Sequence, residues 1–443
     1  MRNSGRETAA WLGIYIVIVV APLAIAAAGD VPPGRGLWLE FAVALGFVGL
    51  AMMWLQFALT ARFKWIAPTF GLDTLMQFHR QAGLVAFAFI LAHPLILFLV
   101  DTQYLDYLHP FLGFDEFLRA GALWAVMGAL VILIGSTLWR TNFGIPYEWW
   151  RTAHAVLAFF IIFVGLVHVL RVGFYVDDLW KQAVWAGLTL GAMGLLVHTR
   201  LVRPWLMAKR PYRVEEVTKE RGNSWTVWLV PERHEGLRFQ PGQFCWLTLG
   251  HNPYSLEQHP FSISSSAENP GMIGFTIKEL GDYTNTIGET PTGIPAFVDG
   301  PYGAFTLDAN AADGAVFIAG GVGITPIMSM LRTCADRGDT RPFTLIYAAG
   351  ALETMAFRDE LEALRGRLNL ELILVPFTPP EGWDGPSGML DAETLERLLP
   401  PDEHKTLRYL VCGPPGLMDL AEPHIRSRGV PARHINAERF DIA

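Results

Sequence analysis

Six long apolar stretches, at about residues 9–29, 37–60, 78–100, 120–139, 152–175 and 179–202, constrain this chain more than any other feature of its sequence. Each is close to the ~20 residues that an α-helix needs to cross ~30 Å of hydrocarbon at ~1.5 Å per residue. A water-soluble domain can hide one or two such helices. Six in succession demand a core with almost no charged rim, which a domain of about 200 residues cannot supply. The charges agree: residues 1–203 carry 13 Lys+Arg and 11 Asp+Glu, whereas residues 204–443 carry 21 and 31. The chain therefore reads as a six-helix membrane bundle followed by an acidic water-exposed part. That acidity speaks against a nucleic-acid surface, and the 51% hydrophobic content excludes a disordered chain.

The flanks of the spans predict an orientation. One alternating set holds Arg2, Arg6, Arg62, Lys64, Arg80, Arg140, Arg151, Arg200, Arg203, Lys209 and Arg210 against only three acids. The opposite set holds Arg35, Arg119, Arg171 and Lys181 against eight acids. The positive-inside rule then places both termini and the acidic part in the cytoplasm, with the helices as a multi-pass protein of the cell inner membrane. Cys245, Cys334 and Cys412 all fall in that reducing compartment and are too widely spaced for a CxxC pair or a four-thiolate cluster.

The third and fifth spans each carry two histidines 14 residues apart, His79 with His93 and His154 with His168. At ~100° per residue the second ring lies only about 40° from the first and roughly 21 Å along the same face. The two spans run in the same direction, so His79 faces His154 at the inner level and His93 faces His168 at the outer level. A lone imidazole in a membrane helix is equally well explained by a hydrogen bond to a neighbour. Zinc would gather its ligands at one level rather than split them by four turns. Two opposed pairs suit two b-type haems, each iron taking one nitrogen from either helix. No CxxCH motif exists for covalent attachment. Arg80 and Arg151 flank the inner pair as partners for haem propionates or as simple topology signals, Arg171 follows the outer pair, and Phe160 lies between the levels.

After Trp205 the pattern changes to short strands, Tyr212 to Thr218, Ser224 to Val230, Gln243 to Leu249 and Ile273 to Lys278, which predict an antiparallel β-barrel over about residues 206–310. From residue 311 to 443, apolar strands alternate with helical segments, predicting an open α/β domain. Residues 1–205 form the remaining, membrane domain. In the barrel, His259-Pro260-Phe261-Ser262 places a hydroxyl beside aromatic surface, and Gly281-Asp282-Tyr283-Thr284 suits a pyrophosphate at a strand-to-helix junction. Gly300-Pro301-Tyr302-Gly303 reads as a glycine-rich turn at the barrel's end. Gly320, Gly321 and Gly323, followed by Thr325 and Pro326, form a strand-to-helix turn that a dinucleotide can approach closely. Cys412-Gly413-Pro414 repeats that context after the last apolar strand. There the Cys412 thiol either lines a nicotinamide pocket or is ordinarily buried.

Taken together, these residues resemble the ferric reductase and NADPH oxidase type of transmembrane flavocytochrome b, in compact, prokaryotic-looking form, with a ferredoxin-NADP reductase type FAD and NAD(P) module. The resemblance covers almost the whole chain. It implies that His79, His93, His154 and His168 ligate haem, and that His259 to Ser262 and Gly281 to Thr284 hold FAD. It implies further that Gly320 to Pro326 and Cys412 to Gly416 hold the nicotinamide nucleotide, with Phe440 covering the flavin.

The implied activity moves electrons from cytosolic NAD(P)H through FAD and two haems to an acceptor on the outer face. NAD(P)H gives two electrons at once and a haem accepts one, so a flavin must convert between them. Oxygen, yielding superoxide, and a ferric chelate both meet the requirement. A quinone, a periplasmic partner protein, or use of the haems purely as a redox sensor are the alternatives. Animal-type oxidases carry a polar histidine one turn past the outer ligand of the third span, where this chain has Leu97. Residues such as Arg171 and His109 are left to approach from elsewhere. Nucleotide choice is read from Tyr347-Ala348-Ala349-Gly350-Ala351, where relatives specific for NADPH often place Arg near the 2′-phosphate; the nearest cation here is Arg358. Less than about tenfold discrimination between NADH and NADPH follows, and initial rates with each nucleotide check it; a hundredfold preference for NADPH overturns it.

Overall fold

The computed structural model describes residues 4–63, 72–110, 113–307, 312–401 and 406–439. Its contacts separate a unit of residues 5–63 and 74–202 from one formed chiefly by residues 203–443.

In the first unit six helices are long and apolar enough to cross a membrane among the described residues. They are α1 (Ser4–Ala26), α2 (Leu37–Thr60), α3 (Leu72–Val100), α4 (Phe114–Leu138), α5 (Tyr147–Val172) and α6 (Leu179–Val197). Each coincides with one apolar stretch, but α4 and α5 begin earlier than the apolar pattern does. Their first turns carry Asp115 and Glu116, and Glu148, acids that suit the positive end of a helix dipole and that an apolar window rejects. Gly173, in the left-handed region at φ 65°, ends α5.

Helix α2 is the most enclosed, burying Ala42, Gly49 to Trp54, Gln56 and Phe57. Trp185 of α6 is fully buried between Phe47 and Trp54, at ring separations of 4.9 and 5.1 Å. Ile16, Phe41, Leu99, Val131, Phe163 and Leu190 point outward and exposed. Such a shell is costly in water and natural in lipid.

The second unit opens with a short helix, α7 (Arg203–Ala208), and two sheets. The first sheet is antiparallel throughout: β1 (Tyr212–Glu220), β2 (Ser224–Pro231), β3 (Phe244–Leu249), β4 (His259–Ser262), β5 (Ile273–Lys278) and β6 (Pro295–Tyr302), in the order β4-β3-β6-β1-β2-β5. Ile263, just past β4, bridges Phe275 of β5, so the sheet curls toward closure as a half-barrel around Val214, Val227, Leu247 and Phe275. Two segments differ from the sequence reading. His259–Ser262 is an edge strand, where Pro260 is tolerated because only one side of β4 needs ladder donors. Gly300 to Tyr302 closes β6 rather than forming a free turn, and only Gly303, at φ 101°, turns the chain.

The second sheet is wholly parallel: β7 (Ala315–Gly320), β8 (Phe343–Ala349), β9 (Leu370–Pro376), β10 (Arg408–Cys412) and β11 (Ile435–Glu438), in the order β11-β10-β7-β8-β9. Helices α8 (Ile324–Asp336), α9 (Arg358–Leu364), α10 (Ala392–Leu398) and α11 (Pro415–Ser427) connect the strands. Phe317 and Ala319 of β7 enter a core with α8 and α9, while Val316 and Ile318 enter another with α10 and α11. This period of two means that both faces of the sheet are covered.

One helix fastens the two sheets together. Arg332 of α8 donates from Nη1 to the Ser264 carbonyl at 2.7 Å and grips Glu360 of α9 with Nε and Nη2 at 2.8 and 2.6 Å. Ser329 Oγ donates to the Ser265 carbonyl at 2.7 Å, and the Ala267 N–H donates to Thr333 Oγ1 at 2.9 Å. Arg332→Ala is expected to cost about 2 kcal/mol, mostly from the Ser264 bond because Glu360 is partly exposed and its pairing screened. Arg332→Lys should recover less than half, since an ammonium lacks the planar fork. The thermal unfolding midpoint by tryptophan fluorescence in detergent tests this, and an unchanged midpoint in Arg332→Ala refutes it.

Candidate functional site

In the membrane unit, α3 and α5 bring the four histidines together as two pairs. The ring centroids of His79 and His154 are 6.3 Å apart, and those of His93 and His168 are 6.4 Å apart. Two imidazoles on opposite sides of one metal ion, each with a ~2 Å bond from a nitrogen about 1.1 Å off its ring centre, would have centroids roughly 6.2 Å apart. Both pairs have that separation. Among the described residues no three His, Cys, Asp or Glu side chains converge. Each pair therefore leaves an ion's remaining positions to a macrocycle, and the donor set fits a b haem at each level.

The outer ring nitrogens are held in a definite way. His93 Nδ1–H donates to the Ala42 carbonyl at 2.8 Å. A Cβ on Gly46 would lie 3.0 Å from that same nitrogen, so glycine on α2 is what lets the ring approach. Thr137 Oγ1 donates to the Leu133 carbonyl at 2.6 Å, which leaves its lone pair for His154 Nδ1–H at 3.3 Å. Both contacts engage Nδ1, the arrangement in which Nε2 can serve as a ligand. The buried Gln56 of α2 lies against His79. Sequence reasoning missed Gln56 and Thr137, although a glutamine inside an apolar span is itself a signal. Arg80 and Arg171 are exposed, Arg151 lies over the Tyr147 ring at 5.6 Å, and Phe160 is half-buried against the bundle core.

In the half-barrel, the two flavin motifs meet. The His259 and Tyr283 rings stack at 4.1 Å, and Phe261 lies nearly parallel to Tyr283 at 6.5 Å. Among the described residues, Ser262 Oγ and Tyr283 OH are buried without hydrogen-bond partners. Burial, then the charge of Glu257, pushes the Tyr283 phenol above its ordinary range, so it stays a neutral donor. Two idle buried hydroxyls beside stacked rings fit a polar, planar ligand such as FAD. Thr284 Oγ1 accepts from the N–H groups of Leu280 and Gly281, each at 2.9 Å, and so shapes the turn that carries Tyr283 and the exposed Asp282.

The nucleotide motifs meet at the carboxyl ends of β7 and β10, where the strand order reverses. A Cβ on Gly320 would lie 2.6 Å from Pro414 Cδ and 2.7 Å from Leu417 Cδ2. Gly321 has φ 53° and open space around it. Gly323 precedes α8, and Pro326 sits in its first turn. Thr325 Oγ1 donates to Val322 O at 2.9 Å, so this hydroxyl serves its own turn. Cys412, in register with Ala319 and Glu438, is fully buried in the core on the α8 face, with Gly413 and Pro414 following. Glu438, missed from the sequence, is nine-tenths buried on β11 next to Cys412. Arg358 reaches the Leu352 carbonyl at 3.5 Å. Phe440 lies outside the described residues.

Three family models match in succession: a ferric reductase like transmembrane component over residues 45–165, an FAD-binding domain over 222–306 and an oxidoreductase NAD-binding domain over 317–422. Together they place a ferric-reductase-like membrane segment, an FAD-binding segment and an NAD-binding segment in one chain. The chain thus has the ferric reductase and NADPH oxidase type of architecture with a ferredoxin-NADP reductase-like module. Among curated relatives, the propane 2-monooxygenase reductase component of Rhodococcus jostii is 29% identical over 243 residues, covering 52% of this chain and 62% of the relative. NADH-cytochrome b5 reductase 1 of Cryptococcus neoformans is 30% identical over 176 residues, 37% of this chain and 60% of its own. A solved FAD/NAD-binding domain of nitric oxide dioxygenase from Vibrio cholerae, 22% identical, covers 52% of this chain and 98% of that domain at a TM-score of 0.47.

Gly320→Ala must push the β7 and β10 turns apart, and is expected to raise KM for the nucleotide at least tenfold with flavin content retained. Gly281→Ala, whose Cβ would meet nothing within 4 Å, should bind the nucleotide as the parent does. Initial rates with a soluble dye acceptor compare the two, and an unaltered KM in Gly320→Ala rejects the crowding argument.

Proposed function

We propose that this chain is a transmembrane oxidoreductase that takes electrons from cytosolic NAD(P)H and delivers them, by way of FAD and two b haems, to an acceptor on the outer face. The observation that carries the proposal is the two pairs of facing imidazoles, at 6.3 and 6.4 Å, on the same two apolar helices, in a chain that also matches FAD- and NAD-binding families. His79 and His154 would hold the inner haem, His93 and His168 the outer one. His259, Pro260, Phe261 and Ser262 with Gly281, Asp282, Tyr283 and Thr284 would hold FAD. Gly320, Gly321, Gly323, Thr325 and Pro326 with Gly413 and Pro414 would hold the nucleotide, Phe440 would cover the flavin, and Cys412, fully buried, would support the nicotinamide pocket from the core. The membrane domain would end near residue 205 and the flavin domain near 310. The surplus of Lys and Arg on one set of flanks supports an inner-membrane protein with its flavin and nucleotide domains in the cytoplasm.

When bound, the flavin accepts an electron pair as hydride and the haems carry electrons singly. The protein's part is placement. The Ala42 carbonyl and the Thr137 hydroxyl engage Nδ1 of His93 and His154, which would leave Nε2 of each to hold a haem iron. Tyr283, held neutral, offers a hydroxyl donor beside the flavin's stacking surface. Gly320 and Gly413 let the two turns pack closely, and Gly321, with open space around it, would admit a dinucleotide at the carboxyl ends of β7 and β10. Leu97, one turn past His93, offers no polar group to oxygen, which favours a ferric chelate over superoxide formation.

Anaerobic NADH should reduce both haems of the purified protein, and separate additions of ferric citrate, oxygen and a quinone, followed by haem absorbance, identify the acceptor. Haems that stay oxidised with NADH, NADPH and FAD all present sink the enzyme reading in favour of a sensor. Replacing His93 and His168 together by Ala should lower haem content from two per chain to one, counted by pyridine haemochrome against flavin.

A further inference from the structure

Gln56 is a buried amide in an otherwise apolar stretch of α2, with 7% of its surface exposed. A primary amide at that depth costs several kcal/mol unless its polar atoms are bonded. One terminus of the amide lies 2.5 Å from His79 Nδ1 and 3.1 Å from the His79 carbonyl oxygen, and the other lies 3.3 Å from the Gly83 nitrogen. The oxygen and NH2 group of an amide can exchange these positions with almost no movement of other atoms. The two arrangements impose opposite states on the ring. With NH2 toward His79, the amide donates to Nδ1, and the ring proton must sit on Nε2. With oxygen toward His79, Nδ1–H donates to the amide, and Nε2 presents its lone pair.

We infer that Gln56 is a positioning residue for the inner haem, turning its amide oxygen to His79 Nδ1–H and thereby committing Nε2 to iron. The inference rests on the reading of His79 and His154 as an axial pair. Without iron, the NH2-inward arrangement is favoured, because it also gives the His79 carbonyl a donor and the Gly83 N–H an acceptor. Ligation reverses that preference. With its oxygen inward, the amide terminus that lies 2.5 Å from His79 Nδ1 would be a closer acceptor than Thr137, whose oxygen is 3.3 Å from His154 Nδ1. Of the two inner ligands, His79 therefore receives the stronger polarisation. An acceptor on Nδ1–H raises the basicity of the opposite nitrogen and stabilises the oxidised iron.

The test is a spectroelectrochemical titration of the haem-loaded full chain. Gln56→Leu should raise the midpoint of one haem, shifting its oxidised-to-reduced ratio at fixed potential about tenfold, or about 59 mV for a one-electron couple. The other haem should keep its midpoint, and both should keep low-spin spectra. Thr137→Val should shift the same haem less. The near-isosteric Gln56→Met carries the same expectation and serves if the Leu variant does not assemble. Two haems with parental midpoints in Gln56→Met, in a protein where His79→Ala removes one haem, overturn the inference and leave the axial pair intact. Retention of both haems in His79→Ala overturns the axial pair itself.

Discussion

A histidine inside a lipid bilayer must find a use for both of its ring nitrogens, and the membrane half of this protein is arranged around that demand. The 14-residue spacing stacks two rings on one face of α3 and two on one face of α5. Parallel placement of those helices turns each stack toward the other, at ring separations of 6.3 and 6.4 Å that would admit a metal ion between them. The opposite nitrogens are consumed by α2 and α4, through the Ala42 carbonyl and the Thr137 hydroxyl. Helix α2 can supply such contacts because it is the most enclosed helix and because Gly46 lets a ring approach its backbone. A larger residue at that point would separate the helix from the imidazole it steadies.

The water-exposed half solves a different problem, that of bringing a flavin ligand surface and a nucleotide ledge into one rigid body. The solution is α8. Its amino end follows the glycine turn of β7, and its middle grips residues 264–267, immediately after the His259 to Ser262 strand. The helix that follows the glycine turn therefore also anchors the chain just past the His259 to Ser262 strand. Arg332 supplies most of this coupling, because a planar fork can bond a backbone carbonyl and a carboxylate at once.

Much of this was legible in the sequence, and what was not has identifiable causes. The six spans, the paired histidines and the alternating strand-helix pattern from Ala315 onward are strong periodic signals, and the structure places helices or strands at each. Strand β4 was hidden by Pro260, which reads as a turn unless the strand is known to lie at an edge. Strand β6 was hidden by Gly300 and Pro301 at its end, and β11 by its short length. At the site, ligand candidates could be found because histidine is rare in membrane spans. Their supporting groups could not, since a backbone carbonyl leaves no mark and Thr137 is an ordinary residue near a helix end. Gln56 was visible as a polar residue out of place, but only the packing of α2 against α3 says what it is for. The turn at Gly281 reads as a close backbone approach with hydroxyl donors for a pyrophosphate, whereas the Thr284 hydroxyl is already engaged by the Leu280 and Gly281 N–H groups.

The contact between the two glycine turns has one more consequence. Gly413 and Gly320 touch backbone to backbone, with a Cβ on Gly413 falling 3.0 Å from Gly320 Cα, so neither loop can shift alone. A dinucleotide docking there would meet a surface that is already shaped, with little conformational freedom to surrender. Preference between related coenzymes is then free to drift through side chains at the rim, such as those around Ala349 and Arg358, while the floor beneath them stays the same.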